Sequence, residues 1–486
     1  MAVHSFNLDP ELDILQTVRR FEQDRFLLLL DSAARHRERD SRYSFLTADP
    51  VRVVRLDEVT YGDNPFQTLR DWQQMLGAQQ ASVPSSVPWN SGEATSGLPP
   101  FFGGIAGLMS YELGGAFERL PSPSQNDFQT PALLAGLFDW AIVWDHLNKT
   151  VRLFVIELPI DGQNAVDRIQ WVRKRLENDA ATTGTDFAQR SSSRHSPSSE
   201  TRFAAKHQIE PSTEVYSDFP RDEYVRTVAR VIEYIRAGDI FQANLSQRLM
   251  APWSRSAVDL YGQVRRLNPA PFCGLLTFDD VAIVSASPER FIKVNASGLV
   301  ETRPIKGTRR RPRSPIAELF AVEELTSSEK DRAENVMIVD LLRNDVSRSC
   351  LAGSVKVTGL CELEKFETVL HLVSTVQGQL NRDRDVWDLM AGCFPGGSIT
   401  GAPKIRAMEI IAELEPIVRG AYCGSLFALG PHGDFDSSIL IRTFTLKDGW
   451  VQFPVGGGIV ADSDPLDEYR ETLHKASGMI RALRQS

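Results

Sequence analysis

Short apolar runs separated by turn residues mark the first part of the chain: Phe26 to Leu30, Val51 to Val54, Ala141 to Trp144 and Val151 to Glu157. Runs of that length bounded by turn signals predict strands, with few helices between them. Past residue 218 the period changes. Tyr224, Val228, Val231, Ile232 and Ile235 recur at helical spacing, with Asp222 as candidate N-cap and Gly238 as stop. Strands return at Leu275 to Phe278, Val281 to Ala286 and Phe291 to Val294. Thr326 and Glu329 stand at capping-box spacing ahead of the apolar run Val336 to Leu342, which predicts a helix there. Asp464 followed by Pro465 opens the last helix, since Pro is tolerated in a first turn. Strands and helices mixed without regular βαβ spacing favour an α+β fold built on antiparallel sheets.

Two stretches interrupt the pattern. Gly77 to Gly97, rich in Ser, Pro, Gln and Gly, reads as a surface loop or insertion. Arg190 to Thr201 is the most biased segment and cannot bury enough apolar area to order itself, so residues 179–218 are expected to be a flexible linker. It separates an amino-terminal region, 1–178, from a carboxy-terminal one, 219–486. The length of 486 residues allows two or three domains or one large interlocked body. A net charge of -9 argues against nucleic acid as the main partner, because neutralising phosphates needs clustered Lys and Arg. The aliphatic runs fall far short of the ~20 residues that span a bilayer, and no export signal is expected. Five cysteines, an odd count with no CxxC pair, indicate neither a disulfide framework nor a zinc ribbon, and so a reduced, cytoplasmic setting.

Several side chains keep unusual company. Glu468, Glu471 and Lys475 share one face of the last helix, with Leu466, Leu473 and Ile480 opposite. Alone this is an ordinary solvated face, but Gly456, Gly457 and Gly458 precede it, and glycines leaving a strand allow close backbone approach to an anion. Glu334 shares its helical face with Met337, Ile338 and Leu341, and a buried carboxylate needs a partner, a proton or a metal. Carboxylates converging from separate helices suit Mg²⁺, which takes hard oxygen ligands. GGSITGAPK at Gly396 to Lys404 has phosphate-loop glycine spacing, yet Ala402 and Pro403 stand where Lys and Ser or Thr must follow. Nucleotide binding is rejected; Ser398 and Thr400 could instead hold a carboxylate. Lys306, flanked by apolar and turn residues, is a surface lysine unless burial near other cations lowers its pKa, when it becomes a nucleophile.

Together these segments resemble the chorismate-utilising enzymes: SPERF from Ser287, TRPIKGT from Thr302, KDRAENVMIVDLLRND from Lys330, HLVSTVQG from His371, GGSITGAPKIRAMEII from Gly396, IRTF from Ile441 and GGGIVADSDPLDEYRET from Gly456. Weaker matches lie upstream, in PPFFGGIAGLMSYELG from Pro99 and RYSFLTADP from Arg42. The resemblance implies one body of two large antiparallel sheets packed as a sandwich with flanking helices. It implies chorismate as substrate and Mg²⁺ held by Glu334 and Glu471 with Glu468 close by. Substrate contacts carried over by motif are Gln242, Gly307, Thr308, Tyr422, Arg442, Gly456, Gly457, Gly458 and Lys475. His371 and Thr400 line the ring, and Glu289 is a general acid or base.

Within that family, members that add water place a Lys where this chain has Gln242, and anthranilate synthases have Ala where it has Lys306. Lys306 resembles the first component of the aminodeoxychorismate synthases. There the amine attacks C2, the C4 hydroxyl leaves, and ammonia enters at C4 on the route to p-aminobenzoate and folate. The ammonia source is expected to be a separate glutaminase subunit, since no cysteine here lies in a GxCxG elbow. Ser32, Tyr43, Ser44, Phe45, Pro271 and Phe272 resemble segments around the tryptophan pocket of relatives, implying L-tryptophan as a possible ligand, although Asp31 departs from the Glu or His expected there. The alternatives are an anthranilate synthase large subunit and a non-catalytic tryptophan- or chorismate-binding regulator.

Overall fold

The computed structural model describes residues 2–34, 41–77, 98–121, 125–160, 162, 164–177, 203, 207–210, 212–365 and 369–484. Its strands form two sheets of thirteen and ten strands among those residues. Every strand pairing in both is antiparallel. This is the expected α+β sandwich. The two chain halves interleave: Phe26–Asp31 pairs with Phe272–Phe278 in the larger sheet, and Gly104–Met109 pairs with Ser425–Leu429 in the smaller.

The unbroken run FLLLL at 26–30 shows why. Phe26 and Leu28 face the core between the sheets, with Leu108, Leu134 and Phe427 of the opposite sheet. Leu27 and Leu29 face outward onto Val18, Val258, Tyr261 and Met479, which lie on helices that cover the larger sheet. A strand buried on both faces loses the polar alternation that marks a half-exposed one. Removing any of these leucines costs about 2–5 kcal/mol through lost transfer energy and the cavity left behind. On the far side of the smaller sheet, helices Gln67–Gly77 and Val386–Cys393 seat Trp72 and Trp387.

Several boundaries differ from the sequence reading. The helix Arg221–Ala237 begins at Pro220, and Asp222 lies within its first turn; Gly238 ends it in the left-handed conformation at φ 86°. The next long helix, Glu329–Ser347, is capped by Ser328, whose hydroxyl accepts the Asp331 N–H. Thr326 belongs to the preceding helix, Pro315–Ser327, and returns its hydroxyl to the Val322 carbonyl. Asp464 does cap Pro465–Arg484, accepting the Leu466 and Asp467 N–H groups. That helix is buried along Glu468, Tyr469, Thr472, Ala476 and Met479, whereas Leu466, Leu473 and Ile480 are only half-buried. Of the expected linker, 179–202, 204–206 and 211 lie outside the described residues, as does 78–97 of the expected loop. Near its end, His207–Gln208 and Tyr216–Ser217 are strands that extend the edge of the larger sheet against Gln242–Pro252. Among the described residues no helix is long and apolar enough to cross a membrane.

Candidate active site

Two of the passages by which the chain crosses from one sheet to the other each carry a charged site residue. Val281–Ser287 belongs to the larger sheet and Arg290–Val294 to the smaller, so Glu289 sits on the corner between them. Phe435–Ser438 and Thr443–Lys447 make the return passage, with Arg442 at its end. The corners are stitched together. Ser287 Oγ donates to the Ile439 carbonyl at 2.5 Å, Ile439 N–H to Glu289 O at 3.0 Å, and Ala286 N–H to Arg442 O at 3.1 Å. Arg442 holds φ at 53°, a conformation non-glycine residues occupy only when their surroundings impose it. Burial pushes its guanidinium down, and no acidic side chain among the described residues pairs with it. Glu289 is buried and accepts the Ser398 hydroxyl at 2.9 Å. Burial raises its carboxyl to about 7, against the opposing pull of Ser398 and Lys306.

Lys306 reaches this corner by a bulge. Ile305–Arg310 pairs with Val369–Gln379, and its register slips between Ile305 and Thr308. A bulge re-aims the residues it contains. Gly307 takes φ 85°, where a Cβ would come within 3.1 Å of Asp331 and Leu325. Lys306 is thereby half-buried facing Glu334, Glu289, Lys475 and Glu471, and burial pushes its amine below the ordinary lysine range. One register step on, Thr308 Oγ1 lies 2.8 Å from His371 Nδ1, and His371 is buried.

The carboxylates gather against the glycine run. Gly456 to Gly458 do not leave the strand as expected: they lie inside Trp450–Ile459, paired with Ser246, Leu245 and Asn244. The need for glycine is steric. A Cβ on Gly457 would stand 3.1 Å from Glu468 Oε2 and 3.6 Å from both Glu471 Oε1 and Lys475 Nζ; one on Gly458 would stand 2.7 Å from Gln242 Nε2. Lys475 Nζ bridges Glu471 Oε1 at 2.7 Å and the Gly456 carbonyl at 2.9 Å. Burial raises the Glu468 and Glu334 carboxyls; at Glu471 the same effect is outweighed by Lys475, which holds it low. Lys330, one helical turn before Glu334, faces all three. Among the described residues no three ligating side chains already converge on a point. Glu471 faces both Glu334 and Glu468, without the three closing into a ligand set.

Gln242 completes the floor. It is wholly buried, and neither its amide oxygen nor its nitrogen has a hydrogen-bond partner among the described residues. A buried amide left so costs ~1–3 kcal/mol. Tyr422 is buried beside Asn244. Thr400 is buried with its hydroxyl turned inward to the Gly396 carbonyl at 3.0 Å, so it offers bulk rather than a donor. Ser398 does hold a carboxylate, but one of the protein's own, Glu289.

The family model described as chorismate binding enzyme matches residues 28–481. The chain belongs to the chorismate binding enzymes. It is 41% identical over 454 residues to aminodeoxychorismate synthase component 1 of Escherichia coli, covering 91% of this chain and 90% of that one. It is 36% identical to anthranilate synthase component 1 of Thermus thermophilus, covering 99% and 96%. Among solved structures, anthranilate synthase component I of Streptococcus pneumoniae superposes with a TM-score of 0.70 at 29% identity, covering 91% and 92%.

Glu289, Lys306, Glu334 and Glu471, from four of the motifs, thus face one another, with Gly457 against Glu468 and Glu471. The set matched to a tryptophan pocket lies elsewhere in the larger sheet. Ser44 Oγ donates to Asp31 Oδ1 at 2.7 Å and accepts the Ser32 N–H at 3.1 Å, while Ser32 Oγ reaches the Pro271 carbonyl at 3.4 Å. Tyr43 stacks on Phe45 at 5.8 Å, and the Arg290 guanidinium covers the Phe272 ring at 5.0 Å. Sequence reasoning missed Lys330, Ser398 as partner of Glu289, and Tyr261 and Arg265, both 2.6 Å from Asp31. Only Lys330 carried a signal, its i,i+4 spacing from Glu334.

Proposed function

We propose that the chain is the large component of an aminodeoxychorismate synthase, converting chorismate and ammonia to 4-amino-4-deoxychorismate, the precursor of p-aminobenzoate and folate. The observation that carries this reading is Lys306: a half-buried amine, lowered by burial, aimed by a bulge between Glu289 and the carboxylate face. A neutral amine is a nucleophile. Its lone pair bonds to chorismate C2 as the ring double bonds shift and the C4–O bond breaks. Glu289, protonated near neutrality, gives its proton to the departing hydroxyl, which leaves as water. Ammonia then bonds to C4, the double bonds shift back, and the C2–N bond to Lys306 breaks. The enolpyruvyl group is untouched.

Arg442, with no acidic partner, suits a substrate carboxylate. Gln242 offers the incoming nitrogen a neutral hydrogen-bonding neighbour where no base is needed. Glu334, Glu468 and Glu471 would hold Mg²⁺, which when bound neutralises substrate carboxylate and developing charge. The partner proposed is a glutaminase subunit supplying ammonia, in keeping with the component naming of the relatives. All five cysteines are buried and unpaired, which supports a reduced, cytoplasmic setting. L-tryptophan at the Ser32–Ser44 cluster has less support, because Asp31 there is already engaged by Ser44, Tyr261 and Arg265.

Incubation with chorismate, Mg²⁺ and ammonium should yield aminodeoxychorismate by mass; anthranilate and pyruvate would place the chain with the other branch. Lys306→Ala should reduce the rate at least about 10²-fold, the scale of removing a covalent nucleophile. An undiminished rate in a folded variant without added amine sinks the covalent step.

A further inference from the structure

Arg419 lies with its guanidinium 5.7 Å from the Tyr422 ring and ties together two segments that carry other groups of the site. It is buried at 3% exposure. Its guanidinium is held at Nε and Nη2 by Glu415, at 2.8 and 2.7 Å. The remaining donors go to main-chain carbonyls: Nη1 to Ile399 at 3.0 Å and Nη2 to Asn244 at 2.5 Å. Ile399 follows Ser398, whose hydroxyl holds Glu289. Asn244 follows Gln242 on the strand that pairs with the glycine run. Within the loop over 396–400 the main-chain bonds are long, Ile399 and Thr400 donating to Gly396 and Gly397 over 3.4 Å each, and the Thr400 hydroxyl adds one bond to the Gly396 carbonyl at 3.0 Å. The two main-chain lengths are at the weak end for N–H···O bonds. On one side the loop abuts Leu341, which a Cβ on Gly397 would strike at 2.4 Å. On the other side the Asn244 N–H donates to the Thr400 carbonyl at 2.7 Å, and Arg419 braces the same two segments from its side chain.

We propose that Arg419 is a positioning residue that sets the spacing between the strand bearing Gln242 and the loop bearing Ser398, by clamping the Asn244 and Ile399 carbonyls from one guanidinium oriented by Glu415. This rests on the chorismate reading, because the groups positioned are those that the reading uses. A planar fork can serve two carbonyls and a carboxylate at once; an ammonium at the end of a lysine cannot. The network is buried, so loosening it displaces the loop rather than exchanging its bonds for water.

The test is a double-mutant cycle on chorismate consumption, whatever the product. Arg419→Lys should lower kcat roughly 10- to 100-fold with KM for chorismate within about threefold, in protein that still melts cooperatively. In a Ser398→Ala background the same substitution should cost under about threefold, because the contact it positions is already gone. Glu415→Gln, which keeps the shape and loosens the guanidinium, is the second arm should the lysine variant not fold, and should show the same non-additivity on a smaller scale. An unchanged kcat, or losses that multiply across the Ser398→Ala background, overturns the proposal and leaves Arg419 a stabilising residue only. Product identity from the unmodified chain is read separately. A different chorismate product defeats the functional reading while the cycle still decides the role of Arg419; no consumption at all defeats both.

Discussion

The two polar clusters of the larger sheet are built on opposite rules. Around Asp31 every charge is answered: Asp31 is 2% exposed, and its two oxygens take bonds from Ser44, Tyr261 and Arg265. Across the candidate active site, the Lys475–Glu471 pair apart, buried polar groups are held without an opposite charge. Among the described residues Arg442 has no acid and Gln242 no partner for its amide, and two carboxylates, Glu468 and Glu471, face one glycine. A satisfied buried network fixes a fold, while buried groups kept without partners cost stability and wait for a ligand to repay it. Residue type alone does not separate the two; the pairing does.

Removing a cation from each cluster gives the widest separation. Arg265→Met leaves Asp31 buried without its ion pair and should cost about 3–5 kcal/mol of unfolding free energy, read by denaturant or thermal melts, with kcat per folded molecule preserved. Arg442→Met should do the reverse. Its burial already works against its charge, so the melt should be unchanged or improved, while KM for chorismate rises roughly 10²-fold, the scale of a lost charge-assisted contact. If Arg442→Met unfolds the protein and leaves KM alone, the distinction between the clusters collapses.

Glu289 sharpens the comparison by pH. Its folded carboxyl is pushed up to about 7 from the ordinary 4.5, because burial disfavours the charge. Between those values the folded state binds the extra proton, so this group's contribution to stability falls as pH rises from 4.5 to 7 and is level beyond. Glu289→Gln removes that penalty while keeping an acceptor for Ser398. The variant should match the unmodified chain near pH 4 and exceed it at pH 8 by about 3 kcal/mol, with turnover reduced roughly 10²- to 10⁴-fold. A variant no more stable at pH 8 would mean that Glu289 is structurally paired, as Asp31 is.

Much of the cleft was legible because its motifs are contiguous and its chemistry lies in side-chain type: SPERF, TRPIKGT and the final helix delivered Glu289, Lys306, Glu468 and Glu471 directly. What escaped notice depends on pairing across the chain. The glycines at 456 to 458 read as a strand exit, because nothing local reveals that Asn244, Leu245 and Ser246 lie beside them. The bulge that turns Lys306 inward is a register slip against Val369–Gln379, which a single strand's pattern cannot record. His207–Gln208 and Tyr216–Ser217 read as linker because these two short strands owe their order to a neighbour that lies downstream, the strand Gln242–Pro252. Buried on both faces, FLLLL offered no period at all.

The smallest expected effect tests the other cluster from the ligand's side. An amino acid docking beside Ser32 and Ser44 brings an ammonium that must find an acceptor, and the nearest carboxylate, Asp31, already carries Arg265 at 2.6 Å. Displacing that guanidinium would break a buried ion pair to form an equivalent one, for no net electrostatic gain. A ligand present at 100 times its Kd would add about 2.7 kcal/mol and move the melting midpoint by several degrees. L-tryptophan at millimolar concentration should instead move it by less than about 1 °C, and leave the rate of chorismate consumption unchanged. In Arg265→Met, where Asp31 is left without its cation, the same addition should raise the midpoint by more than in the unmodified chain. A shift of several degrees in the unmodified chain would show that Asp31 answers a ligand's charge as well as the protein's own, and the contrast between the two clusters would then be one of degree.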